Sequence, residues 1–317
     1  MTTQVKKTKL VIKRARLWRA VVTVLLSGVL IYMIMRNLHT VSQGVEVIRH
    51  AHASSLLAGL LLSILTFLIA AAIYTRLALH HILYTQTLLI ELAGSFANRL
   101  LPAGLGGLGL HGLYLHKRKH TVAEATAIVS VNNLLGIGAH LSLLATACIV
   151  QPALLRTFTH HWPHLPWAAL GVVLLVVFGA LYLMSGLRRK LHSFGRNLLV
   201  SLERINLKRI AVAYVLALLL TASYTAVLYT TARAVGAELS VFQTFIVFSI
   251  GMLVGTATPT PGGLVGVEAG LYAGFIGYGV SSTTSAAAVL LYRLFTYWLP
   301  LTPGAIALLI VHRRKLV

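Results

Sequence analysis

Glu268 and Arg293 each sit inside an otherwise apolar stretch. A charge at membrane depth costs at least about 2.5–3.5 kcal/mol on insertion scales, so opposite charges placed there are expected to pair. Such a pair either lines a polar path, with Glu268 modulating Arg293 or carrying a proton, or locks two helices together. Asn98 and Arg99 stand just before Pro102, with Glu91 close to two helical turns earlier. A guanidinium in this position matches the oxygens of a lipid phosphate, or snorkels to the membrane surface. Two further polar clusters interrupt apolar helices, Asn132-Asn133 in one and Tyr292-Arg293 in the other. His140 falls on the same helix face as Asn133. These groups read equally as substrate contacts and as interhelical hydrogen bonds.

Other chemistries find little support. Cys148 is the only cysteine, which leaves no disulfide framework and no thiolate cluster. His111, His116 and His120, and again His160, His161 and His164, have no carboxylate or cysteine close by, so no metal is expected. There is no nucleophile elbow, phosphate loop, paired-carboxylate motif or metalloprotease helix. The expectation is a protein without cofactors that is not an enzyme.

These side chains must be positioned by helices in lipid. Hydrophobic residues make up 57% of the 317, charged residues 10%, and the mean hydropathy is +0.84. A soluble domain of this length needs about a quarter of its residues charged. Six acids, all Glu, face 27 Lys and Arg. That excess sits beside apolar runs rather than on a soluble domain, which argues for membrane orientation and anionic lipid and against nucleic acid. The fold class is all-α integral membrane. Six segments, Leu17–Met35, Ser54–Leu79, Ala123–Val150, Trp167–Gly186, Ile210–Ala232 and Ser282–Val311, can cross a core of about 30 Å. Leu17–Met35 has no cleavage site after it and is read as a retained span.

Gln86–Leu115 and Val241–Val280 are broken, the first around Pro102, Gly106 and Gly107, the second around Pro259, Pro261, Gly262 and Gly263. Basic clusters before residue 20, at 117–119, across the 187–209 linker and at 313–315 are all expected inside. Both termini are then cytoplasmic, and Gln86–Leu115 has to enter and leave on one side. The same count makes Val241–Val280 a re-entrant hairpin from the outside, although two full crossings satisfy the charges as well. The order span, broken hairpin, span thus occurs twice, over 54–150 and, inverted, over 210–312. Interrupted helices in opposed repeats are the pattern of secondary carriers, whose breaks meet near the midplane. The 187–209 linker is either a surface helix on anionic lipid or a plain loop.

The stretches AGSFANRLLPAGLGGLGLHGLYLHKR with VNNLLG, and TPTPGGLVGVEAGL with AAAVLLYRLFTYWLP, resemble the flippase-like family that includes the membrane domain of lysylphosphatidylglycerol synthase. The resemblance covers essentially the whole chain and implies movement of lipids or lipid-linked headgroups between leaflets of the cytoplasmic membrane. His111 stands where many relatives carry an arginine. With the tail ending at Val317, synthesis of lysyl lipid by this chain is not expected. Asn98, Arg99, His111, Asn132, Asn133, Glu268, Tyr292 and Arg293 are the candidate headgroup contacts. The expected partners are membrane lipids, in particular anionic phospholipid. The alternatives are a non-transporting partner of a lipid-modifying enzyme and a transporter of ions or small solutes.

Overall fold

The computed structural model describes residues 46–101, 104–152, 205–258, 260 and 262–317. The expected spans Leu17–Met35 and Trp167–Gly186, nearly all of the 187–209 linker, the histidines at 160–164, and Pro102, Pro259 and Pro261 lie outside them. The elements among the described residues are all helices, with no strand among them.

Four helical segments among them are long and apolar enough to cross a membrane: α1 (Ala53–Leu77), α4 (Val122–Val150), α5 (Leu207–Ala234) and the run from Ser282 to Arg313. That last run is α8 (Ser282–Arg293), a π turn (Leu294–Trp298) and α9 (Leu301–Arg313). Between the long helices stand two pairs of short ones, α2 (Tyr84–Leu100) with α3 (Leu105–Lys117), and α6 (Val241–Ala257) with α7 (Gly266–Gly277). The order long, short, short, long therefore occurs twice. Leucines such as Leu57, Leu61, Leu141 and Leu219 are more than half exposed on the long helices, as lipid-facing positions require.

Contacts at the helix ends fix the course of the chain. The Lys117 ammonium donates to the carbonyls of Lys315 and Val317, and Arg209 donates to the carbonyl of Ala78. The ends of α1, α3 and α9 and the start of α5 thus share one end of the bundle, where the basic residues gather. At the other end the His52 amide donates to the Ala234 carbonyl, so α1 and α5 run antiparallel. The Arg118 guanidinium reaches Gln86 at 2.5 Å, which brings the entry and exit of the α2–α3 pair together at the basic end. The α6–α7 pair follows α5 and precedes α8 at the opposite end, and shares an apolar core with Val47, Ala51 and Ala147.

Each pair is an antiparallel hairpin, but the two are closed differently. In α6–α7 glycines face each other. A Cβ on Gly270 would meet the Gly251 Cα at 2.8 Å, and one on Gly274 would meet Val247 at 3.0–3.3 Å. Small residues four apart let two backbones approach in lipid, where no hydrophobic force draws them together. In α2–α3 glycines approach as well, a Cβ on Gly94 lying 3.2 Å from the Gly107 Cα, and polar side chains also span the gap.

The two breaks also differ from the sequence reading. Gly106 and Gly107 are not in the break; they lie in the first turn of α3, and the left-handed residue is Gly104 at φ 71°. They are close-contact positions: a Cβ on Gly106 would run into the Ala97 backbone, and one on Gly107 into the Asn98 amide. Gly262 and Gly263 do form the second break, at φ 63° and 66°. Val265 follows at φ 73°, a conformation that costs a β-branched residue on the order of 1–3 kcal/mol.

Candidate functional site

The π turn creates the first part of the site. Its wider winding pairs the Leu299 amide with the Leu294 carbonyl and turns neighbouring carbonyls out of the helix. Ser63 of α1 donates to the Phe295 carbonyl at 2.8 Å, and Arg99 donates to that of Thr296 at 3.0 Å. The same turn places Tyr297 between the two breaks. The Arg99 guanidinium carbon lies 4.8 Å from the centre of its ring and that of Arg293 lies 4.4 Å away. Two positive charges therefore share one aromatic ring, an arrangement stabilised by its quadrupole.

Arg293 also donates through Nε to Glu268 at 2.6 Å and through a terminal nitrogen to the Gly262 carbonyl at 3.4 Å. The expected pair forms, and it binds α8 to both the break and the start of α7. Its second oxygen, Glu268 Oε2, is buried with no hydrogen-bond partner, and Arg99 Nε is likewise buried and free of one. Arg99 is thus held by backbone carbonyls and the shared ring and Arg293 by Glu268, a carbonyl and the same ring, with one donor on Arg99 and one acceptor on Glu268 left over.

The second part is a cavity of about 310 Å³ beside the first hairpin, lined by Tyr74, Glu91, Gly94, Asn98, Gly107, His111, Asn132, Asn133 and Tyr224 among others. Asn98 spans the hairpin, its side-chain oxygen accepting the Gly107 amide at 2.6 Å. His111 is 4% exposed; its ring stacks on Tyr74 at 3.9 Å, and Nε2 lies 3.0 Å from Glu91 Oε2. Asn132 donates to the Tyr74 hydroxyl at 3.3 Å.

Of the eight candidate residues, Asn98, His111, Asn132 and Asn133 line this cavity together. Arg99, Glu268 and Arg293 meet around Tyr297 instead. Tyr292 joins neither group: it is 3% exposed and packs in the apolar core around α6 and α7. His140 turns away to Phe245 and Phe248, at ring distances of 5.3 and 5.8 Å. The three histidines near the first hairpin separate. His111 enters the cavity, while His116 pairs with the His120 carbonyl and His120 with the amides of Leu79 and His80.

Sequence reasoning missed Tyr297, Tyr74 and Tyr224. Tyr297 lies four residues after Arg293, a same-face spacing that gave a usable signal. In the run Tyr297-Trp298 it reads as an interfacial aromatic, and only the π turn directs it inward.

Residues 20–304 match the family described as "Lysylphosphatidylglycerol synthase TM region". No curated protein matches the chain.

Proposed function

The chain belongs to the family of the lysylphosphatidylglycerol synthase TM region, and from that premise we propose that it moves a phospholipid or lipid-linked headgroup between the leaflets of the cytoplasmic membrane. One observation carries the reading. The two breaks converge on Tyr297 through Arg99 and Arg293, beside a polar cavity formed by the first hairpin. Non-helical backbone at membrane depth is tolerated where it lines such a cavity, and the unpaired Arg99 Nε, on a guanidinium beside that of Arg293, suits a phosphate. The headgroup passes through the polar interior while its acyl chains stay in lipid.

In this reading the α2–α3 pair is re-entrant from the cytoplasm, the α6–α7 pair is re-entrant from outside, and the two halves are inverted repeats. The gathering of Lys117, Arg209 and Lys315 at one end supports that orientation, with the basic end and the carboxyl terminus inside. The helix lengths agree: at about 1.5 Å per residue, the 13 residues of α3 and 12 of α7 fall well short of a core of about 30 Å.

The test is transbilayer movement of a fluorescent anionic phospholipid in liposomes holding the purified protein. Wild type accelerates it. Arg99→Ala slows it at least about tenfold, the worth of one charge-assisted hydrogen bond of about 1.5–3 kcal/mol. Correctly inserted Arg99→Ala protein as fast as wild type removes the headgroup role. A second reading, docking of a lipid-modifying enzyme, is favoured by the synthase named in the family description; it predicts no movement by the purified chain and co-purification with such an enzyme.

A further inference from the structure

Away from the Tyr297 cluster, another cavity of about 210 Å³ lies where α4, α5 and α6 meet. Its walls come from the second halves of α4 and α5 and the first turns of α6, so it lies toward the end of the bundle opposite the basic residues. Small side chains leave the space, Ala147 on α4 and Ala222 and Ala226 on α5. Two threonine hydroxyls reach the wall, and both are spent on their own helices. Thr146 donates to the Ser142 carbonyl at 2.9 Å, and Thr225 to the Thr221 carbonyl at 3.0 Å. A trapped water needs several polar partners, and the lining side chains leave it no donor but the Tyr229 hydroxyl. An empty space forfeits the contacts of every wall, so the cavity calls for an apolar filling.

Its depth and its mouth say what kind of filling. Along α5 the lining runs from Ala222 to Tyr229, about 10 Å at 1.5 Å per residue, against about 15 Å for the hydrocarbon of one leaflet. At the inner limit Phe245 packs on His140 at 5.3 Å, which ties α6 to α4 there. At the outer limit stands Tyr229, and Arg233 one turn later turns toward it. The guanidinium donates to the Tyr229 hydroxyl at 3.0 Å, and its carbon lies 5.7 Å from the ring centre. Arg233 is exposed, and among the described residues no carboxylate lies within ion-pair distance of it. α6 begins on the same rim at Val241 and adds the partial positive charge of a helix amino terminus. An apolar slot under a cation at the headgroup level matches an acyl chain joined to a phosphate.

We propose that this cavity holds one acyl chain of a phospholipid from the leaflet at that end, with its phosphate on Arg233. α4 belongs to the first half of the chain and α5 and α6 to the second, so the bound lipid fills a joint between the halves. The lipid is resident rather than carried, and its headgroup stays at the surface instead of entering the cavity of the first hairpin. The site therefore does not rest on the translocation reading.

The test places the purified protein in phosphatidylcholine vesicles with a small share of phosphatidylglycerol that carries a photoreactive group midway along one chain, and reads the labelled peptides. Leu57 and Leu61, exposed near the same end of α1, give the labelling of an ordinary lipid face. In wild type the cavity peptides of α4 and α5 are labelled well above that face. Ala226→Leu, which fills the cavity, brings them down to it. Arg233→Gln lowers their labelling about fivefold, the worth of one basic residue against anionic lipid. Labelling around Leu57 and Leu61 stays the same in both variants, which shows that they are folded and inserted. Diacylglycerol with the same photoreactive chain labels the cavity as weakly in wild type as the phospholipid does in Arg233→Gln, and inorganic phosphate does not displace the phospholipid. Wild-type cavity labelling no higher than the face, as expected if another part of this chain or a second copy fills the space, overturns the proposal. So does labelling that Ala226→Leu leaves unchanged. Full labelling of Arg233→Gln, or of wild type by diacylglycerol, overturns the phosphate contact. The readout is binding, so protein that moves no lipid still decides the site.

Discussion

The two hairpins share a plan, two short antiparallel helices around a break with glycines packed on the facing backbone, and differ in what else joins the arms. The second is zipped by backbone approach: Gly251 against Gly270, Val247 against Gly274, Gly255 against Val267. Its charged groups are confined to the tip, where Glu268 meets Arg293. The first is bridged along its length by Gln86–Arg118, Glu91–His111 and Asn98–Gly107, and the cavity lies beside those bridges. A glycine seam is dry and has one fit; polar bridges can exchange partners with water or a headgroup. On this contrast the second hairpin is joined away from its tip by shape alone, and the first by shape and by polar bridges.

Removing the tip charge gives the largest expected effect. Arg293→Ala leaves Glu268 in a site where one of its oxygens already lacks a hydrogen-bond partner. Stranding one member of a buried pair costs about 3–5 kcal/mol, and the 27% exposure of the Glu268 side chain points to the lower end. Arg293→Met with Glu268→Gln regains much of it, because no charge is then left alone. Thermal unfolding in detergent measures both; equal losses in the single and double variants would show that the pair does not close the second hairpin.

The seam comes next. Gly270→Ala puts a methyl group 2.8 Å from the Gly251 Cα, and no side chain can move aside to relieve it. Overpacking of this kind costs about 1–3 kcal/mol. Gly109 and Gly112 of the first hairpin have open space where a Cβ would go, so Gly109→Ala and Gly112→Ala leave the unfolding temperature within about a degree or raise it. A reversed order would undo the contrast.

Much of this plan could be read from the chain. Basic clusters placed the ends of α3 and α9 together, and the Lys117 contacts with Lys315 and Val317 join them. Glu268 and Arg293 were a pair by cost alone, since neither charge is tolerated singly at that depth. The role of each glycine was not legible. Gly106-Gly107 and Gly262-Gly263 are the same dipeptide, yet one lies inside a helix against Ala97 and Asn98 and the other turns the chain. A glycine marks either a positive φ or a close neighbour, and the neighbour is a tertiary fact. Glu91–His111 was hidden for a related reason: the register that puts residue 91 opposite 111 depends on where the break falls.

Acid should find the first hairpin before the second. His120 follows α3, 1% exposed, and its Nε2 accepts the amides of Leu79 and His80 while Nδ1 pairs with the Leu115 carbonyl. Burial holds its pKa below the ordinary 6.5, opposed by the Leu115 carbonyl and assisted by His80. The unfolded chain therefore binds the proton more readily. The stability owed to neutral His120 is complete above about pH 6.5 and is lost as pH falls below it, by at most about 1.4 kcal/mol per pH unit for one proton. The corresponding turn after α7 is closed by Gly279 and Ser281 and has no histidine. Hydrogen exchange at pH 5 against pH 7.5 should open the ends of α3 and leave those of α7 unchanged. Equal opening of both would place the acid effect elsewhere.

The smallest expected effect tests where the contrast stops. α4 and α6 begin with the same device, a capping box: Thr121 with Glu124 and Ser240 with Gln243, each side chain bonding the other residue's amide at 2.9–3.2 Å. One box follows the first hairpin and the other precedes the second. Each satisfies two amides that a helix start leaves unpaired, so Thr121→Ala and Ser240→Ala each cost about 1 kcal/mol, and by similar amounts. Near-equal drops in unfolding temperature confine the difference between the hairpins to their interiors, seam against bridges. A much larger loss from Thr121→Ala would mean that the anchoring of α4, which supplies Asn132 and Asn133 to the cavity, is part of what keeps the first hairpin closed.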